Sequence, residues 1–182
     1  MRLFDFLFAL FGLIILSPLL ILLAVFAFFD TGSPIFRQVR VGKHQKPFNL
    51  YKFRSMSLDT ISVATHLAQE SSITRFGKFI RGSKFDELPQ LVNVLRGDMS
   101  LVGPRPCLFN QEELIAARQS RLVFEVLPGI TGLAQVNGVD MSDPEKLAEW
   151  DERMIKQFSI IDYFKYLIMT VVGRGFGDRI RS

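Results

Sequence analysis

The sequence predicts an α/β chain that is mostly helical, with an apolar N-terminal helix ahead of a small globular domain that holds one short β-hairpin. Three observations carry this. Phe6 to Phe29 contains no charged residue. Two stretches between Ile35 and Arg54 alternate apolar and polar residues, as half-buried strands do. The remainder shows apolar residues at helical spacing between clusters of turn residues. A length of 182 residues suits one domain plus a modest extra element. The organisation expected is residues 1–30 as a membrane helix and 31–182 as the working domain.

As one straight helix, the apolar run would be roughly 36 Å long against a hydrocarbon core of ~30 Å. Ser17-Pro18 interrupts it midway, where proline removes a backbone donor and bends a helix. Each half then reaches only roughly 17 Å. Both flanks are basic, with Arg2 before and Arg37, Arg40, Lys43 and Lys46 after, which favours both ends on the cytoplasmic side. A helix that enters, bends at Ser17-Pro18 and returns satisfies both features, with the Ser17 hydroxyl meeting a freed carbonyl. A kinked single span is the alternative that residues alone leave open. The run is too long for a cleaved signal peptide and no small-residue cleavage site closes it.

Asp30-Thr31-Gly32-Ser33-Pro34 ends the anchor. Ile35–Val41 and Phe48–Arg54 read as the two strands of a hairpin, with Gly42–Pro47 as its turn. Residues 57–72 are polar and read as a loop with a short helix. Thr74–Ile80 reads as an amphipathic helix and Glu87–Leu95 as the next, with Pro89 tolerated in its first turn. Gln111–Val126 reads as a helix, Pro128–Gly132 as a turn and Leu133–Gly138 as a short extended piece. Asp143 and Pro144 are an N-cap and a first helical residue, for a helix reaching about Phe158. A last helix from about Asp162 to Val172 is either core packing or an interfacial helix lying on a bilayer. The tail from Gly173 reads as mobile.

A net charge of +4 and a pI near 9.4 suit an anionic membrane surface and anionic substrates. No cluster of Lys and Arg interleaves with aromatics on one face, which argues against nucleic acid. The single Cys107 excludes an intrachain disulfide. His44 and His66 have no zinc-ligand spacing, supply no catalytic triad, and read as surface residues.

Asp86-Glu87 is the most informative pair. Adjacent carboxylates at the start of a helix are often caps. Here Arg81, Lys84, Arg96 and Arg105 lie within 25 residues of one another. A hard carboxylate pair among cations suits magnesium with phosphate oxygens, and a carboxylate can also attack phosphorus. Pro104-Arg105-Pro106 fixes Arg105 between two rings, ready to present a guanidinium fork to phosphate. Lys52 and Arg54 fall on one strand face, which by itself reads as solvated. Gly132–Gly138 brackets Gln135 and Asn137 but lacks the glycine spacing of dinucleotide-binding or P-loop motifs.

Taken in order, these motifs resemble the bacterial sugar transferase family, the small monotopic phosphoglycosyl transferases that begin lipid-linked glycan assembly. The resemblance runs through Arg2 and Asp5, Ser17-Pro18, Phe36-x-Gln38-x-Arg40-x-Gly42 and Tyr51–Met56. It continues through Gly77–Arg81, Asp86–Ser100, Gly103–Pro106 and Pro128–Gly138. It implies transfer of a sugar-1-phosphate from a UDP-sugar to polyprenyl (undecaprenyl) phosphate with release of UMP. Asp86 would be the nucleophile of a ping-pong reaction, Asp86 and Glu87 the magnesium site, and Arg81, Arg105 and Pro106 part of the phosphate site. Lys52, Arg54, Gln135 and Asn137 fall in matching motifs as substrate-binding residues. The resemblance also implies a re-entrant helix hinged at Ser17-Pro18 and interfacial amphipathic helices. The location implied is the cytoplasmic leaflet of the bacterial inner membrane. One departure stands out: Lys84-Phe85 replaces the Ser-Leu often found before Asp-Glu. The segment Val139–Pro144 leans toward an N-acetylated amino sugar. The reading of a different class is a non-catalytic, membrane-anchored module that binds nucleotide sugars or acts as a scaffold.

Overall fold

The computed structural model describes residues 1–58 and 72–173. Most of the loop read at 57–72, including His66, and the tail after Gly173 lie outside them.

The apolar run forms two helices, α1 (Arg2–Ile15) and α2 (Ser17–Thr31), bent by 66° where they meet. The cause is local. Pro18 cannot donate to the carbonyl of Ile14, four residues back, and the Ser17 hydroxyl donates to it at 2.7 Å. Among the described residues no single helix is long and apolar enough to cross a membrane, whereas the bent pair together has the length and composition. Phe11, Ile14 and Ile15 on α1 and Ile21, Leu22 and Phe29 on α2 are exposed.

The first turns of α1 are built into the globular core. Asp5 is 1% exposed. Its Oδ1 accepts from Ser100 Oγ, the Leu101 amide and the Tyr163 hydroxyl, all at 2.9 Å. Burial, and then the Asp5 hydrogen bond, push the Tyr163 phenol well above its ordinary pKa and keep it a donor. Arg2 donates to the carbonyls of Met99 and Val94 at 3.0 and 3.1 Å.

The hairpin forms as its alternation predicts. β1 (Ile35–Val41) pairs antiparallel with β2 (Pro47–Phe53), in the register Phe36↔Lys52, Gln38↔Leu50 and Arg40↔Phe48. The inward face is less expected. In β1 the polar Gln38 and Arg40 are buried and Val39 is half exposed. Lys52 is buried beside Leu50, which corrects the reading of a solvated face.

α3 (Arg75–Gly82) starts at Thr74, whose side chain accepts from the Gly77 amide. Gly77 is required there, because a Cβ would collide with the backbone of Ser55 just past β2. The next helix begins later than its apolar spacing implied. Asp86 and Glu87 occupy a 3-10 turn, Phe85–Glu87, and α4 runs only from Gln90 to Arg96. The reason is Lys84, whose φ of 59° breaks the helical path between α3 and the turn.

Ser100–Val102, assigned no element from sequence, and Gly129–Thr131, read as part of a turn, are the strands β3 and β4 and pair in parallel. Glycine at 103 and 129 lets the two backbones approach more closely than any Cβ would permit. The helix read over Gln111–Val126 is shorter: α5 spans Glu112–Ser120, and Leu122 turns the chain at φ 57°. The extended piece read at Leu133–Gly138 is instead one helical turn, α6 (Leu133–Val136), closed by the Val136 amide on the Gly132 carbonyl. α7 (Pro144–Gln157) begins as its sequence requires, with Asp143 accepting from the Lys146 amide. α8 (Ile160–Val171) packs into the core through Tyr163 and Tyr166, as the packing reading expected, and leaves Ile161, Ile168 and Val171 exposed.

Candidate active site

Four elements converge on the acid pair. The 3-10 turn supplies Asp86 and Glu87, 5% and 9% exposed. β2 supplies Lys52, whose Nζ lies 3.2 Å from Glu87 Oε1. The loop after β3 supplies Arg105, whose Nη2 lies 2.8 Å from the same oxygen. The last turn of α3 supplies Arg81, held by a 2.7 Å bond from Nε to Ser55 Oγ. Lys52, Arg81 and Arg105 against Asp86 and Glu87 leave one formal positive charge in a largely desolvated setting. Such a balance favours a ligand carrying more negative charge than the protein has already placed there.

The Arg105 loop is held with unusual completeness. The carbonyl of Pro104 accepts from the Gly129 amide at 2.8 Å. That of Arg105 accepts from Arg118 Nη1 at 2.8 Å. That of Pro106 accepts from Arg40 Nη1 at 3.2 Å, and that of Cys107 from the Val41 amide at 2.9 Å. Four consecutive carbonyls are therefore fixed by β4, α5 and β1. Arg118 is itself buried and donates Nε and Nη2 to Asp151 Oδ2 at 3.0 and 2.7 Å. Burial opposes its charge, but Asp151 overcomes this and holds the guanidinium protonated. Arg105 is thus presented with little left to order on binding.

Gln38, Arg40, Arg118 and Asp151 were not singled out as site residues by their sequence. For Gln38 and Arg40 the alternation showed only that they share a face of β1; that this face lies over Lys52 and Leu50 comes from the strand register. For Arg118 no signal existed, because its partner is 33 residues away. Of the other expected site residues, Pro106 sits in the fixed loop. Arg54 points elsewhere: Nε donates to the Ser33 carbonyl at 3.1 Å and the guanidinium lies over Phe36. Asn137 is exposed and bonds the Leu133 carbonyl of its own helix. Gln135 is buried, and neither polar atom of its amide has a partner among the described residues. Cys107 is buried, and burial raises its thiol pKa, which suits packing rather than reactivity. His44 is a surface residue, 3.4 Å from Glu125.

Among the described residues no third His, Cys, Asp or Glu joins Asp86 and Glu87 as a metal ligand set. One or two hard carboxylates, with the rest of the shell left to phosphate and water, is the donor set of magnesium. The residues present fit that ion.

The family of bacterial sugar transferases matches residues 1–175. The uncharacterized sugar transferase EpsL of Bacillus subtilis (strain 168) is 44% identical over 171 residues, covering 93% of this chain and 84% of that protein. The UDP-glucose:undecaprenyl-phosphate glucose-1-phosphate transferase of Klebsiella pneumoniae is 40% identical over 87% of this chain and 36% of its own length. The UDP-N-acetylgalactosamine-undecaprenyl-phosphate N-acetylgalactosaminephosphotransferase of Aeromonas hydrophila is 38% identical over 96% of this chain and 44% of its own. The chain therefore spans most of the first relative and less than half of the other two.

Proposed function

The chain belongs to the bacterial sugar transferase family, and from that membership we propose that it transfers a sugar-1-phosphate from a UDP-sugar to polyprenyl phosphate, releasing UMP. The observation that carries this is the buried Asp86-Glu87 pair, with Lys52 and Arg105 on Glu87 and Arg81 in the last turn of the preceding α3. A carboxylate oxygen of Asp86 attacks the β-phosphorus of the UDP-sugar, and the bond to UMP breaks with its electron pair leaving on UMP. A phosphate oxygen of the lipid then attacks the same phosphorus, forming the lipid diphosphate sugar and restoring the carboxylate. Glu87 is held in place by Lys52 and Arg105. The same cations, with Arg81, stabilise charge on the transferring phosphates. Asp86 and Glu87 would hold magnesium, which supplies neutralisation of phosphate charge.

The location that goes with this reading is the cytoplasmic leaflet of the inner membrane. One substrate is water-soluble and the other is not, and the bent α1–α2 pair supports a site at that boundary. The expected assay result is UMP release that requires both a UDP-sugar and undecaprenyl phosphate for continued turnover and stops in excess EDTA. Unabated turnover in EDTA removes the metal. Absence of turnover across a panel of UDP-glucose, UDP-galactose and their N-acetylated amino forms would leave the non-catalytic nucleotide-sugar-binding module standing.

A re-entrant α1–α2 puts both of its ends on the cytoplasmic side. Cysteines at the exposed Leu3 and Lys46 should both be shielded from an impermeant thiol reagent applied to intact spheroplasts, and both should label after permeabilisation. Labelling of Leu3→Cys from outside would establish a through-going span.

A further inference from the structure

α3 is an amphipathic helix with a conspicuous exception. Its exposed surface carries Arg75 and Lys78, yet Phe79 among them is 61% exposed. That ring does not stand alone. Phe26 of α2 lies 6.0 Å from Phe76 between ring centres, Phe76 lies 6.5 Å from Phe79, and Phe79 lies 6.4 Å from Phe85. Phe76 and Phe85 are half-buried and rest on Leu23, Ala27, Phe53 and Ile80, which makes them a firm backing. Phe26 and Phe79 form the exposed rim. The rings lead from the exposed apolar face of α2 to Phe85, the residue next to Asp86.

We propose that this ladder of four phenylalanines binds the prenyl chain of the lipid acceptor and brings its phosphate to Asp86, an assignment that rests on the transfer reaction above. Two features favour this occupant over acyl chains of the bilayer. A surface resting on a bilayer need lead nowhere, whereas this ladder runs from an exposed ring on α2 to the half-buried Phe85, which directly precedes the buried Asp86 in the 3-10 turn. It also matches a prenyl phosphate in polarity from end to end: apolar rings first, then Lys52, Arg81 and Arg105 for the head. Isoprene units, planar at each double bond, pack well on aromatic faces. Phe85 then guides the acceptor in this chain, at the position where the resemblance leads one to expect leucine.

The test uses the full chain in detergent, with undecaprenyl phosphate and dimethylallyl phosphate as alternative acceptors. Phe79→Ala should raise KM for undecaprenyl phosphate about tenfold, the loss of one good apolar contact, with kcat within about twofold. Dimethylallyl phosphate carries a single isoprene unit and ends at Phe85, short of Phe79, so its KM should move less than about twofold. Phe79→Tyr, which keeps the ring, should restore the long-chain KM. An equal rise for both acceptors overturns the ladder. So does an unchanged KM accompanied by weaker binding to lipid vesicles, which would make Phe79 a bilayer contact. Failure of the unsubstituted protein to use either acceptor sinks the transfer reaction itself, a separate result.

Discussion

Asp86→Asn is expected to abolish transfer, by at least about 10³-fold, while leaving the fold intact. The amide is nearly the size of the carboxylate, so the 3-10 turn keeps its shape. On the proposed two-step reaction, what is lost is the nucleophile. A one-step transfer would need both substrates bound together and a base for the incoming phosphate. A two-step path lets each use the same site in turn. The native protein, given a UDP-sugar and no lipid, should release at most one equivalent of UMP and gain the mass of a sugar phosphate on the peptide bearing Asp86. Intact-mass spectrometry with no adduct, together with UMP appearing only once lipid is added, would make Asp86 a metal ligand or base instead. Glu87→Gln is informative beside it. Two cations converge on Glu87 Oε1, so that variant should loosen Lys52 and Arg105 and slow both half-reactions without preventing the adduct.

The second large effect is expected far from the acid pair. Arg118→Met leaves the carboxylate of Asp151 buried without its cation and should cost about 3–5 kcal/mol of stability. In a chain of this size, each kcal/mol lowers the melting temperature by roughly 2–4 °C. Arg118→Met combined with Asp151→Leu removes both charges and should recover much of the loss. It should not recover turnover, because the carbonyl of Arg105 still lacks its donor. A displacement of the guanidinium by a fraction of an ångström to an ångström corresponds to about 10–100-fold in rate. The paired variant thus separates stability from positioning, and turnover at the native level would confine Arg118 to a structural part.

What the sequence revealed and what it hid follow one physical line. The bend at Ser17-Pro18 was legible because its cause lies within four residues: a missing donor and a nearby hydroxyl. The hairpin was legible because period-two alternation is a local property. Alternation says which residues share a face, however, and not which face is inside. Gln38, Arg40 and Lys52 were therefore hidden. They point inward because Arg40 holds the Pro106 carbonyl and Lys52 holds Glu87, partners 66 and 35 residues away. β3 and β4 were missed because three residues are too few to show a period and their pairing is parallel across a long connection. The carboxylates themselves were visible as a motif, and the 3-10 turn that carries them was not, since Lys84 takes a conformation rare outside glycine, asparagine and aspartate.

The clamp at Arg2 and Asp5 changes what the apolar segment is for. A tether could be cut and the rest would work on in solution. Here the segment's first turns supply the acceptor for Ser100, Leu101 and Tyr163, and the donor for the carbonyls of Val94 in the last turn of α4 and Met99 beyond it. α4 in turn begins three residues after Glu87. Removing residues 1–30 would strand several buried polar groups, at about 1–3 kcal/mol each, and release the far end of the helix that follows the acid pair. The apolar segment is thus no separable appendage: its first turns are part of the packing that carries the acid pair, and if the bent pair enters a bilayer as proposed, side-chain hydrogen bonds rather than a length of chain would set where the acid pair stands relative to it.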